Sequence, residues 1–237
     1  MFFDSEGILG QVQSDGSIEG GDSANWMGHL VYLTNSKTDY TYLFEVGFGA
    51  YVRHPNPAST NHGFGAYYKD PWNGVISRDQ LTGIIAALIA QKRYGAMLRL
   101  MGHHAARLFL FSYNTIHNGV APATARWKMP DLTLFDIWAL ELRGFGYLSW
   151  LFWPILLVFD IHLLLNTLFK LGKKQDDPIS FAMKLIICKE HVPTLTSLLA
   201  WIICDREKLY KDIADYWGGW RASPDMTILY KPRLLPR

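Results

Sequence analysis

Residues 77–90 read Ser-Arg-Asp-Gln-Leu-Thr-Gly-Ile-Ile-Ala-Ala-Leu-Ile-Ala, and their pattern decides the fold class. Ser77 followed three positions later by Gln80 is a capping box. The Ser77 hydroxyl accepts the Gln80 N–H, and the Gln80 side chain reaches back to the helix start. The apolar residues behind it predict a helix from Leu81 to about Tyr94. Upstream, Trp26, Leu30 and Leu33, with Met27 and Val31, predict a helix from Ser23 to about Leu33, with Asp22 or Ser23 as its cap. Downstream, helices are expected over about Ala96–Tyr113 and from Asp131 to Arg143, where Gly144 suits the end. Asp177-Pro178 starts another, running to about His191. Pro193 opens the next, and Gly218-Gly219 ends the last. No period-two strand series stands out. The expected class is therefore all-α, in one domain over residues 1–237. Its helical hairpins are expected to pack around a cavity as a partial α/α toroid-like arrangement with long N-terminal loops.

Between the helices lie irregular segments. Residues 1–22 are rich in Gly, Asp and Ser and read as loop. Tyr40–Val52 is a second apolar piece. Residues 53–74, RHPNPASTNHGFGAYYKDPWNG, form a long loop whose four aromatics argue for packing rather than a linker. Residues 1–80 thus hold most of the loop and the candidate site. Residues 221–237, with their prolines, read as an extended tail.

Phe145–Phe169 is an apolar stretch interrupted late, by Asp160, His162 and Asn166. Crossing a bilayer takes about 20 apolar residues. The uninterrupted part is shorter and contains Pro154. The order of readings is a buried helix, then a helix lying in a membrane interface, then a transmembrane span. Lys170, Lys173 and Lys174 follow it and suit an anionic membrane surface as well as an ordinary solvated helix end.

Composition removes several function classes. With 49% hydrophobic residues and 14% aromatic ones, the chain cannot be intrinsically disordered. A net charge of +2 without a basic stripe argues against nucleic acid as a partner. Cys188 and Cys204 lie in apolar helical patterns and read as free thiols. His103-His104 and His117-Asn118 lack any metal-binding spacing, so no metal and no cofactor are expected. No nucleophile elbow or phosphate loop occurs. The N-terminus, Met-Phe-Phe-Asp-Ser-Glu-Gly, has neither a basic nor an apolar leader region. The expectation is synthesis in the cytoplasm without a signal peptide.

Three clusters carry candidate chemistry. The first is Glu19-Gly-Gly-Asp22-Ser23-Ala-Asn25-Trp26. Here Asp22 would sit against the positive end of a helix and stay ionised, as a base or nucleophile or as a plain N-cap. Asn25 and His29, four apart, share a helix face. The second is Arg53-His54-Pro55, a stiff turn offering a guanidinium fork and a group that exchanges protons near neutral pH; a bland surface turn is the competing reading. The third runs from Trp72 to Gln80. Asp79 is favourable in a first helical turn, whereas Arg78 is not, so Arg78 calls for a carboxylate or ligand partner. Two carboxylates flanked by aromatics are what glycoside hydrolysis uses. A polysaccharide lyase would instead need a base and an Arg to neutralise a uronate. The expected catalytic residues are Asp22, Asp79 and His54. The expected substrate contacts are Arg53, Arg78, Asn25, Trp26, Trp72, Tyr67 and Tyr68.

Gly20-Gly21-Asp22-Ser23-Ala24-Asn25 and Ser77-Arg78-Asp79-Gln80 resemble the aspartate-bearing turns of helical-hairpin toroid enzymes that act on polysaccharides. Together with Arg53-His54-Pro55 and Leu229-Tyr230-Lys231-Pro232, they also resemble a group of bacterial and phage proteins. That group shares a Gly-Asp-Ser/Thr-Ala turn, an Arg-His-Pro loop, a Ser-Arg-Asp-Gln helix start and a Leu-Tyr-x-Pro tail. The resemblance covers the first eighty residues and the tail, and implies a fold type without an activity. Two functions are expected from these readings. One is a glycan-active enzyme, hydrolase or lyase, with a polysaccharide as partner. The other is a non-enzymatic component of a phage particle or envelope-associated assembly. In that case residues 145–169 would contact partner proteins or a membrane surface.

Overall fold

A computed structural model describes residues 2–3, 8–12, 18–20, 23–35, 40–47, 49–52, 54–55, 78–110, 134–170, 178–208 and 211. The class over these residues is all-α. The helices are α1 (Ser23–Thr34), α2 (Thr41–Phe44), α3 (Arg78–Ala90), α4 (Tyr94–Leu110), α5 (Leu134–Arg143), α6 (Trp153–Lys170), α7 (Pro178–Glu190) and α8 (Leu195–Ile203). A 3₁₀ segment, Gly146–Phe152, leads into α6. Trp153 opens α6 where Pro154 can sit in its first turn, the one place where a missing N–H costs nothing.

Short strands add to the expected helices. β1 (Phe2–Phe3), β2 (Leu9–Val12) and β3 (Ile18–Glu19) form an antiparallel sheet, and β4 (Glu45–Gly47) pairs with β5 (Ala50–Tyr51). The loop reading of residues 1–22 is corrected to that extent. Strands of two to four residues are too short for an alternating pattern to register.

The core is built around α1 and α3. Ser23 to Leu33 is buried without a break, as is Gln80 to Ile89. Leu81, Ile84, Ile85 and Leu88 are fully buried, each contributing about 1.5–3 kcal/mol of transfer free energy. Gly28 and Gly83 let the two helices touch backbone to backbone. A methyl on Gly83 would lie 2.6 Å from the Ala24 carbonyl oxygen and the Asn25 Cα, and one on Gly28 would overlap the Gly83 carbonyl.

The contacts also set the helix directions. Ser180 in the first turn of α7 donates to Asn25 Oδ1 in the first turn of α1, at 3.1 Å. Tyr32 near the end of α1 donates to Glu190 at the end of α7, at 2.8 Å. These two helices therefore run the same way. Gly28 and Gly83 each lie near the middle of their helices. At the far end of α3, Ile89 lies beside Gly144, which follows α5. Arg143 at the end of α5 donates to Thr194, just beyond α7, at 2.7 Å. The C-terminal ends of α3, α5 and α7 thus lie near one another. Around them, α4 packs on α3 and α5, α6 on α5, and α8 on α6 and α7.

Candidate functional site

Of the residues expected to form a site, three have described side chains, and all three are buried. Asn25 is 5% exposed and accepts the Ser180 hydroxyl. Trp26 is buried within α1, and His54 is 1% exposed. The His54 ring lies against Gly20, where any side chain would collide with it. Arg78 and Asp79 occupy the first turn of α3, as expected from the sequence; their side chains lie outside the described set. Asp22, Arg53, Tyr67, Tyr68 and Trp72 lie outside the described residues, as do Ser77, the expected helix end at Gly218-Gly219 and the tail.

The most distinctive chemistry lies elsewhere, on α5, α6 and α8. Along α6 the outward residues are apolar: Ile155, Val158, Ile161, Leu165, Leu168 and Phe169 are all exposed. Tyr147, Leu148, Trp150 and Leu151 of the 3₁₀ segment join them. In α8, Leu195, Leu198, Trp201 and Ile202 face out, while Thr196 and Ser197 are buried. This inverts the usual polarity of a surface helix, which turns its polar face to water. Only 22% of the most apolar window within 146–169 is buried, so the expected core helix is corrected to an outer one.

Several polar side chains of this region turn inward onto partners. The Arg143 guanidinium, fully buried, forms an ion pair with Asp160, itself 2% exposed, and donates to the Ala139 carbonyl at 2.8 Å. Asp160 in turn accepts the Thr196 N–H at 3.2 Å, and its carbonyl accepts the Thr196 hydroxyl at 3.2 Å. Thr194 and Ser197 close a capping box at the start of α8. Asn166 donates to Asp136 at 3.0 Å, and His162 Nδ1 stands 2.8 Å from the same carboxylate. Ser149 and Thr167 return their hydroxyls to the Leu142 and Leu163 carbonyls. Charges taken out of water survive only when paired and hydrogen-bonded in this manner.

Two further groups sit deeper or at the opposite end. Glu141 is fully buried, with His104 Nδ1 2.6 Å from its Oε1. Burial pushes its carboxyl above the usual carboxylate range, and the neighbouring His104 pulls the other way more weakly. At the C-terminal ends of α1 and α7, Arg206 donates to both Glu190 oxygens, at 2.8 and 2.6 Å. It also donates to the terminal carbonyls of Tyr32 and Leu33, at 2.9 and 3.1 Å, satisfying groups that the helix end leaves open. Tyr32 is held protonated by burial and by the Glu190 charge. This cluster is partnered throughout and acts as a clamp.

Sequence reasoning registered Asp160 only as an interruption and Arg143 only as a helix end. Asp160 inside an apolar run was the signal that could have found the pair, because a charge there calls for a partner. Cys188 and Cys204 are free thiols, as expected. Among the described residues, no three His, Cys, Asp or Glu side chains stand together as metal ligands. No known protein family, curated protein or solved structure matches the chain.

Proposed function

We propose that this protein works seated in a membrane, as a component of an envelope-associated assembly, with lipid against the outer faces of α6 and α8. The carrying observation is the inverted polarity of these helices, apolar outward and hydrogen-bonded polar inward. Water gives no reason for that arrangement, whereas hydrocarbon solvent demands it. Residues 146–169 form one helical stretch of 24 residues whose most apolar 18-residue window has a mean hydropathy of 1.9. At about 1.5 Å per residue that exceeds the roughly 30 Å of a bilayer core. In the sequence, Tyr147, Trp150 and Trp153 fall toward its start, and Lys170, Lys173 and Lys174 fall at or beyond its close, residue types that suit the two interfaces of a membrane. A core helix of a water-soluble protein can be as apolar, but it is covered, and among the described residues most of this one is not.

The test is fractionation and vesicle flotation of the full chain. The wild type should stay with membranes through high salt and alkaline washing. Val158→Lys, Ile161→Lys and Leu165→Lys combined should move it toward the soluble fraction while helical circular dichroism persists. A monodisperse wild-type monomer in detergent-free buffer would end the proposal.

A second reading, the glycan-active hydrolase or lyase, is favoured by the close pairing of α1 and α3. The backbone contact at Gly28 and Gly83 holds α1 and α3 side by side, near the first turn that carries Arg78 and Asp79. A toroid-like ring of hairpins around a substrate cavity belongs to this reading, with Asp22 and Asp79 as the carboxylates and a polysaccharide as partner. Asp22→Asn and Asp79→Asn should each abolish polysaccharide cleavage, scored by reducing ends and unsaturated-sugar absorbance, with folding intact. Variants that only unfold would mark both residues as helix caps.

A further inference from the structure

We propose that the apolar pocket between α4, α5 and α6 binds the acyl chain of a membrane lipid, an inference that rests on the membrane reading and adds a specific site to it. The pocket encloses about 300 Å³ and is walled by Met101, Trp138, Leu142, Phe145, Phe152 and Phe159. Leu98 and Ile155 also line it, and both are exposed, at 61% and 52%. The pocket therefore opens on the outer surface of the molecule. Ile155 belongs to the same outward stripe of α6 as Val158 and Ile161, so the opening is continuous with the face read as lipid-covered.

The lining names the chemistry of the occupant. A pocket for a polar small molecule carries several placed donors and acceptors that fix its orientation. Here only Trp138 brings a side-chain donor, and its Nε1–H is buried with no acceptor among the described residues. Aromatic and aliphatic walls without polar guides select a flexible hydrocarbon by shape and dispersion alone. Left empty, an apolar hollow stays dry and its walls lose their contacts. An acyl chain entering from the α6 side restores them.

The experiment reconstitutes the full chain in vesicles containing a phosphatidylcholine with a photoactivatable group in one acyl chain, and maps the adducts by mass spectrometry. Adducts are expected on Met101, Trp138 or Leu142 inside the pocket and on Leu165 or Leu168 outside it. Ala105→Trp, which fills the pocket, and Leu98→Trp, which obstructs its mouth from an exposed position, should reduce the inner adducts to background and leave the outer ones. Outer adducts alone in the wild type would overturn the pocket and keep the membrane reading. Inner adducts that persist in both variants would also overturn it. Inner adducts alone would uphold acyl binding and remove the membrane reading, and no adducts at all would remove both.

Discussion

At the scale of single residues, the Arg143–Asp160 pair bears most on the molecule. It joins α5 to α6 and, through Thr194 and Thr196, to the start of α8. A buried ion pair is weak evidence for stability, but removing one partner leaves an uncompensated charge. Asp160→Ala should lower stability by about 3–5 kcal/mol in detergent, read by chemical denaturation. Arg143→Met combined with Asp160→Leu should recover most of that loss. A double variant as unstable as the single one would show that geometry, not charge, sets the cost. Glu141 supplies the pH dependence. Its folded pKa is raised, so its stabilising share is full below the ordinary value of 4.5 and is lost as pH rises through the folded value. Glu141→Gln keeps an oxygen for His104 and removes the ionisation. It should flatten the fall in melting temperature as pH rises above 4.5 and exceed the wild type at the upper end. Identical profiles would mean that burial does not penalise this carboxylate.

At the scale of elements, α1 and α3 form one unit because Gly28 and Gly83 remove the side chains that would separate them. Gly83→Ala places a methyl against backbone, which cannot move aside as a side chain can. It should cost about 3 kcal/mol and broaden thermal unfolding, whereas Ala at the open position Gly102 should be neutral or stabilising. The helices themselves were legible. The Ser77–Gln80 pattern, Asp177-Pro178 and the Trp26–Leu33 spacing each marked an element near its observed place, because caps and periodicity are local properties of the chain. β1 to β5 were not legible, since pairs of two to four residues exist only through partners brought from elsewhere. The outer position of α6 escaped for a related reason. A run such as Trp153–Phe169 reads alike whether protein or lipid covers it.

At the scale of the whole molecule, the arrangement joins two ends of different character. At one, α1 and α3 meet backbone to backbone near the first turn that carries Arg78 and Asp79. Along the side, α6 and α8 expose aliphatic and aromatic residues over an interior of paired charges. The sequence by itself determined the all-α class, the helix positions and the places where charge interrupts apolar runs, because capping, periodicity and hydropathy act over a few residues. Only the tertiary structure decided that Asn25, Trp26 and His54 are buried. It alone paired Arg143 with Asp160 across seventeen positions and turned the leucines of α8 outward. Those outcomes depend on which surfaces distant segments present to one another, and burial is a property of neighbours, not of residue type.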